Sequence, residues 1–506
     1  MDLGQQLSMA FQVALEPPNL FVCFLGVLMG TLVGVLPGLG PTAAISLLIP
    51  ATFSLTPVQS IIMLAGIYYG AQYGGSTTSI LVNIPGEAAS VVTCLDGYQM
   101  AKKGRAGPAL GIAAFGSFIG GTFAVIMLMF LAPPLVGFAL RFGSPEQACL
   151  MFFGLTMVTY LSKGSMVKAL MMAAFGFLLG CIGTDLVTSR ARFTMGILDL
   201  TDGVGVVPVV MGLFGISEVL LNLERKSEKK EFFKTKLQEL LPTRKDWKDS
   251  AGPITRGSLV GFFLGLLPGG GGIIPSFISY AMEKRVAKDP EKFGTGDIRG
   301  VAGPETANNA GAGGTFIPLL TLGIPCNAVL AVLLGALMIH GITPGPLLMK
   351  NYPDLFWGVV GSMYIGNIML LVLNLPMIGL WVQVLRIPYA LLFPLIFLFC
   401  IIGAYSLNNS LVDVTIMLLF GVVGYFMQKF EYDASPLVLA LVLGPMLEEA
   451  LSQSLVLSKG SPMIFFSRPI SASFLILSLA VLISPLILSL FKKKRLVLLI
   501  EGKENL

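Results

Sequence analysis

The sequence predicts an all-α polytopic membrane protein made of two inverted structural repeats with broken helices and re-entrant hairpins. Three observations predict it: the composition, an internal duplication, and a swap of charge between equivalent loops. Of 506 residues, 55% are hydrophobic and 12% charged, and the mean hydropathy is +0.82. Apolar segments long enough to span a bilayer therefore follow one another almost end to end. The formal charge of +5 is gathered in short blocks between those segments, a pattern of membrane topology and not of nucleic-acid binding.

Composition also narrows the chemistry. Cys23, Cys94, Cys149, Cys181, Cys326 and Cys400 stand singly in apolar stretches without CxxC spacing, so neither a zinc site nor a disulfide framework is expected. His340 is the only histidine, which leaves no material for a His-based metal site or a Ser-His triad. No enzyme, resident metal or cofactor is expected. MDLGQQLSMAFQVALEPPNLF lacks a basic n-region and reads as an amphipathic lead-in, residues 1–18, to the first span.

The duplication sets the domains. Gly26, Gly30, Gly34 and Gly38 recur at an offset of 231 as Gly257, Gly261, Gly265 and Gly269, each series ending in Leu-Pro-Gly. Gly74-Gly75 followed by Ile84-Pro85 matches Gly313-Gly314 followed by Ile324-Pro325. Gly97, Met100, Gly107 and Pro108 match Gly335, Met338, Gly345 and Pro346 at an offset of 238. The expected units are a first membrane repeat over 19–222, a charged linker over 223–256, and a second repeat over 257–452. An extra span and a basic tail follow over 453–506.

Orientation follows from equivalent loops. Lys102, Lys103 and Arg105 form the first basic cluster, while the matching stretch from His340 to Pro346 has no Lys or Arg. Conversely EKRVAKDPEKFGTGDIR, residues 283–299, is charged where its first-copy counterpart PATFSLTP is not. The segment 224–249 carries nine Lys/Arg against six Asp/Glu, and KKKR closes the chain at 492–495. The positive-inside rule then makes the repeats inverted, with the N-terminus outside and the linker and C-terminus cytoplasmic. Arg190, Arg192, Lys459 and Arg468 run against this bias.

Inverted repeats with interrupted helices point to a secondary transporter whose site lies at the interruptions, because irregular backbone survives at membrane depth only where it is buried or lines a cavity. Gly26, Gly30, Gly257 and Gly261 read as close helix packing, whereas Pro37-Gly38 and Pro268-Gly269 read as breaks, as do Ile84-Pro85 and Ile324-Pro325, flanked by Asn83 and Asn327. Breaks are also expected after Gly74-Gly75 and Gly313-Gly314, placing Ser76, Thr77, Thr78 and Thr315 at new helix starts. There, free N–H groups and the helix dipole would hold a carboxylate. Such an anion has no cationic side chain nearby, since Met1 to Ala101 and Gly300 to Met349 contain no Lys or Arg. The substrate-binding candidates are Gly38, Gly40, Ser76, Thr77, Thr78, Asn83, Gly270, Gly271, Asn308, Asn309, Thr315 and Asn327. Pro37, Gly38, Glu87, Pro268, Gly269 and Glu305 are candidates for a coupling cation, the carboxylates because an intramembrane charge is by default functional.

GVLPGLGPTAAISLL, YYGAQYGGSTTSILVNIPGEAASVVTCLDGYQMAKKGRAG, LLPGGGG and GPETANNAGAGGTFIPLLTLGIPCNAV resemble the large membrane subunit of the tripartite tricarboxylate transporters, the TctA type. The resemblance implies a cation-coupled permease, typically using Na+, in a bacterial inner membrane, where the outside N-terminus read from the charges would be periplasmic. It further implies two partners: a small four-helix membrane subunit, and a periplasmic solute-binding protein that delivers citrate or another carboxylate. Alternating access is the expected mechanism. A passive carboxylate channel is the alternative. An intramembrane aspartyl protease is a weaker one, suggested by GTGD at Gly294–Asp297 and by Tyr432-Asp433; both aspartates lie in charged or boundary segments, where they cannot share a proton as a dyad must.

Overall fold

The computed structural model describes residues 3–36, 40–162, 165–185, 189–224, 240–385 and 389–484. The described residues are predominantly helical, as expected. In the first half the helices are α1 (Leu3–Ala14), α2 (Pro17–Val35), α3 (Pro41–Leu48), α4 (Pro57–Val82), α5 (Val91–Lys102), α6 (Ala106–Ala139), α7 (Ser144–Leu161) and α8 (Met166–Gly180). A two-stranded antiparallel ribbon, Gly183–Thr184 against Ala191–Arg192, leads to α9 (Val206–Val210), a π-helical turn (Met211–Ile216) and α10 (Ser217–Glu224). The second half holds α11 (Arg244–Gly265), α12 (Ile273–Val286), α13 (Arg299–Gly314), α14 (Phe316–Leu322), α15 (Ala328–Ile339), α16 (Leu348–Asn351), α17 (Pro353–Asn374), α18 (Ile378–Val384), α19 (Tyr389–Asn408), α20 (Leu411–Lys429), α21 (Ser435–Leu457) and α22 (Ile464–Ser467). A last apolar helix, α23, covers Pro469–Ser484.

Six helices among the described residues are long and apolar enough to cross a membrane: Pro17–Val35, Ala106–Ala139, Val206–Glu224, Pro353–Asn374, Leu411–Lys429 and Ser435–Leu457. Their outer faces carry exposed Phe130, Ile368, Leu411 and Leu419, side chains that suit hydrocarbon and not water. The protein is a multi-pass membrane protein. The helix from Arg244 runs without interruption to Gly265, so the segment expected as linker up to 256 supplies the first three turns of a long helix.

Glycine explains the tightest packing. A Cβ on Gly26, Gly30 or Gly34 of α2 would stand 2.3, 2.5 and 2.3 Å from the carbonyl oxygens of Met63, Ile67 and Ala71 on α4. The second half repeats the contact: Gly257, Gly261 and Gly265 of α11 lie against the carbonyls of Gly303, Ala307 and Gly311 on α13, at 2.5, 2.4 and 2.3 Å. In lipid, helices associate through such close backbone approach, so each ladder locks one helix pair.

The expected break at Gly74-Gly75 is not there, and at Gly313-Gly314 α13 gives way to α14 across a single residue, Thr315. Gly74 to Ser79 lie inside α4, which continues to Val82. Thr315 keeps helical angles (φ −63°, ψ −21°) between α13 and α14. These glycines serve packing: a Cβ on Gly74 would lie 2.3 Å from the Thr31 carbonyl oxygen, one on Gly313 2.6 Å from the Ala124 Cβ, and one on Gly314 2.8 Å from the Phe262 carbonyl oxygen. Ser76, Thr77 and Thr78 therefore do not begin a helix, whereas Thr315 immediately precedes α14 without capping it through its side chain.

Candidate functional site

The wider interruptions fall at the two Ile-Pro pairs, as expected, nine residues after Gly75 and ten after Gly314. Asn83 ends α4 in the left-handed region (φ 56°), and Gly323 ends α14 in the same region (φ 73°). Proline cannot donate a backbone N–H and disfavours helix in the residue before it, so Ile84-Pro85 and Ile324-Pro325 hold the chain open. Gly86 then threads between α2 and α4, where a Cβ would stand 1.9 Å from the Gly34 carbonyl oxygen and 2.6 Å from the Gly75 Cα. No other residue fits.

Each interruption ends in an N-cap. The Glu87 carboxylate accepts from the Ala89 N–H at 2.8 Å, opening the short 3-10 turn Ala88–Ser90 that leads into α5. Asn327 Oδ1 accepts from the Leu330 N–H at 2.9 Å and opens α15. Both α5 and α15 contain 12 residues, about 18 Å at 1.5 Å per residue, roughly half of a bilayer's hydrocarbon core.

The two caps are joined through the second half's hairpin. Asn308 Nδ2 donates to Glu87 Oε1 at 3.2 Å. Its Oδ1 is buried without a hydrogen-bond partner and faces Gly272, where a Cβ would come within 2.2 Å. The neighbouring Gly271 (φ 47°) abuts Asn327, whose Nδ2 donates to the Tyr68 hydroxyl at 3.0 Å. The Gly269 N–H donates to the Cys326 carbonyl at 2.6 Å, which fastens the LPGGGG loop to the second interruption.

A second carboxylate lies alongside. Glu305 accepts from the Ser76 hydroxyl at 2.5 Å and from the Thr93 hydroxyl, so α4, α5 and α13 meet on one buried charge. Asn309 Nδ2 donates to Ser117 Oγ of α6 at 2.7 Å and to the Glu305 carbonyl at 3.1 Å. All of these side chains are buried. In so dry a setting a carboxylate persists only with several donors or a cation beside it.

Among the sequence-predicted residues, Glu87, Asn308, Asn327 and Gly271 meet at the first centre, and Ser76, Glu305 and Asn309 at the second. Thr77 lines a small cavity described below. Thr315 stands between α13 and α14, its hydroxyl donating back to the Ala312 carbonyl at 2.6 Å. Thr78 points away, donating to the Val35 carbonyl at 2.9 Å. Asn83 is exposed at its turn. Pro268 is buried in the hairpin; Gly270 packs against Leu264, and Gly269 (φ 83°) against Leu161. Gly40 begins α3 in open space. Pro37 and Gly38 lie outside the described residues.

Several participants were not anticipated. Tyr68 sits unmarked in an apolar run, and Thr93 and Asp96 follow Glu87 on the helix it opens. Asp96 is fully buried and accepts the N–H groups of Gly294, Gly296 and Asp297 at 2.7–2.9 Å, together with the Tyr280 hydroxyl at 2.9 Å. The spacing of Glu87, Thr93 and Asp96 along one polar helix was the available signal.

The loops pair as their charges predicted. Lys103 Nζ donates to the Thr295 carbonyl at 2.5 Å, and Arg105 pairs with Asp246 at 2.5 Å, so the three basic segments gather at one end. At the uncharged end, His340 Nε2 lies 3.1 Å from Thr52 Oγ1. A cleft of about 360 Å³ between Phe142, Met151 and the loop Gly341–Leu348 reaches Leu322 and Ile324 at the second interruption. The protease alternative finds no dyad: Asp297 is bonded to Arg299, and Asp433 to Ser162 and the Ser435 N–H.

A multi-pass helical protein with two interrupted helices around buried carboxylates is the architecture of a membrane transporter. The chain matches the Tripartite tricarboxylate transporter TctA family over residues 20–439 and belongs to that family. It is accordingly the membrane subunit of a tricarboxylate transporter that works with partner subunits and a solute-binding protein, and the resemblance carried by its glycine- and proline-rich motifs is borne out. It is 50% identical over 494 residues to the "Uncharacterized 52.8 kDa protein in TAR-I ttuC' 3'region" of Agrobacterium vitis, covering 98% of each chain. It is also 50% identical over 234 residues to the "Uncharacterized protein in TAR-II ttuC' 3'region" of the same organism, covering 46% of this chain and 97% of the relative. No solved structure matches.

Proposed function

We propose that the chain is the permease of a cation-coupled carboxylate uptake system in a bacterial inner membrane. Citrate or a related carboxylate is the substrate, and sodium the coupling ion. The supporting observation is the pair of half-length helices that begin at Glu87 and Asn327 and are tied together by Asn308 and the Gly271-Gly272 hairpin. The two helix starts are not equivalent. Glu87 already places a negative charge on its own, whereas neutral Asn327 leaves the dipole of α15 free to attract an anion. The substrate carboxylate belongs at the Asn327 end and the cation near Glu87 and Glu305. Cation binding then neutralises the charge that would repel the substrate, which gives the differential affinity that coupling requires.

The two repeats are inverted, with the basic loops cytoplasmic, and they alternate access to the centre between the two sides. A periplasmic solute-binding protein delivers substrate, and a small four-helix membrane subunit completes the complex. Counterflow in proteoliposomes, with and without the cognate binding protein, tests the reading across di- and tricarboxylates under a sodium gradient. Accumulation of one carboxylate only with sodium is expected. Indifference to every carboxylate would remove the substrate class, accumulation following a pH step without sodium would reassign the ion, and gradient-independent flow would make the protein a channel.

A further inference from the structure

Next to Glu305, a small cavity opens between α4, α6 and the C-terminal end of α17. It is about 10 Å³, and Tyr73, Ser76, Thr77, Ser117 and Asn374 line it, together with apolar side chains of α6. That is the space of a single water-sized sphere. Each of these five polar residues is at least 95% buried.

The orientation of the polar groups is specific. Asn374 Nδ2 donates to the Leu370 carbonyl at 2.9 Å, which turns Oδ1 the other way, where it has no partner. A buried amide oxygen without a partner is costly and calls for a ligand. Ser76 gives its proton to Glu305 at 2.5 Å, so lone pairs remain on its oxygen. Ser117 Oγ accepts one N–H from Asn309 at 2.7 Å and retains a second lone pair. Oxygen atoms from three helices therefore meet in a space one ion wide, with one carboxylate behind them.

We propose that this cavity binds one small monovalent cation, held by the oxygens of Asn374, Ser76 and Ser117 and balanced by Glu305 through Ser76. Neutral oxygen ligands suit a hard cation. A single carboxylate balances one positive charge, whereas divalent sites recruit several. The proposal rests on the transport reading and places a cation on the Glu305 side of the centre, at the seam between α4 and the helices α6 and α17. An ion there bridges elements of both halves.

The probe is sodium alone, on the full chain in detergent without substrate. Thermal unfolding is followed as NaCl replaces N-methylglucamine chloride at constant ionic strength. Wild type is expected to be stabilised by sodium, with Asn374→Leu and Ser117→Ala each raising the half-saturating concentration at least tenfold. Asn374→Asp, which keeps the oxygen and adds charge, is expected to bind at least as tightly as wild type. Should Asn374→Leu not fold, Ser117→Ala and Asn374→Asp decide between them. No sodium-specific shift in wild type, or wild-type half-saturation in both Asn374→Leu and Ser117→Ala, overturns the proposal and leaves the cavity a water site. If those variants also keep wild-type sodium dependence of carboxylate uptake, this site fails while the transport reading stands. Absence of carboxylate uptake in wild type defeats the transport reading, while sodium binding in detergent still judges the cavity.

Discussion

Asn308 crosses from the second half of the chain to the first, its amide donating to the Glu87 carboxylate at 3.2 Å. One residue of α13 thereby positions the carboxylate that starts the opposing half-helix. Glu87→Gln keeps an oxygen for the Ala89 N–H but removes the charge. Uptake is expected to fall about a hundredfold and to lose its dependence on sodium, with the thermal midpoint within a few degrees of wild type. Uptake assays across sodium concentrations check both.

Asn327 caps α15 and abuts Gly271 of the hairpin. Asn327→Ala removes the cap, at a cost of about 1 kcal/mol. Asn327→Asp retains the cap but sets a negative charge where an anion is proposed to bind, and is expected to raise the substrate KM at least tenfold at saturating sodium. Comparing KM with the thermal midpoint separates the two effects.

Gly86 and Gly40 make opposite predictions. A Cβ on Gly86 meets the Gly34 carbonyl oxygen at 1.9 Å, while one on Gly40 meets nothing within 4 Å. Gly86→Ala is expected to destabilise by about 3 kcal/mol or more and to leave little folded protein in the membrane. Gly40→Ala should purify and unfold like wild type. Size-exclusion profiles of the two variants, side by side, decide the matter.

The pairing of loops predicts sidedness. In a cysteine-free background, single cysteines replacing Lys103 or Lys292 should react with a membrane-impermeant maleimide only from the cytoplasmic face. Those replacing Ser54 or Gly341 should react only from outside. Labelling of all four from one face would end the inverted-repeat reading.

The loop after α12 should respond to acid. Lys292 and Arg299 lie 2.5 and 2.6 Å from the Asp289 carboxylate, and their charges hold it down to about 2. Its acidity is thus stronger in the folded loop than in the unfolded chain, so its contribution is present above the ordinary carboxylate range and is lost as pH falls from about 4 toward 2. Hydrogen exchange over 289–299, corrected for its intrinsic pH dependence, should rise in that window. Asp289→Asn should abolish the step.

Long-range order proved more legible than local breaks. The offset glycines marked α2 and α11 as closely packed helices without showing their partners, and the charge blocks grouped segments that the structure brings together, because packing and topology leave periodic marks. Gly74-Gly75 misled because glycine, a helix breaker in water, serves in a bilayer as the residue that lets two backbones meet. The Ile-Pro interruptions were legible because proline marks them; the left-handed angles of Asn83 and Gly323 that end the preceding helices were not. Asp96 escaped notice because its donors lie about 200 positions away, in a loop whose own charges suggested only solvent.

Asp96 also constrains how the molecule moves. Its carboxylate is held by three amides and a phenol from the opposite half, and stripping those donors from a buried charge would be prohibitive. α5 and the loop after α12 therefore form one rigid unit. In the proposed alternating-access cycle, slippage falls on seams without such a rivet, such as those where α6 and α17 meet this unit.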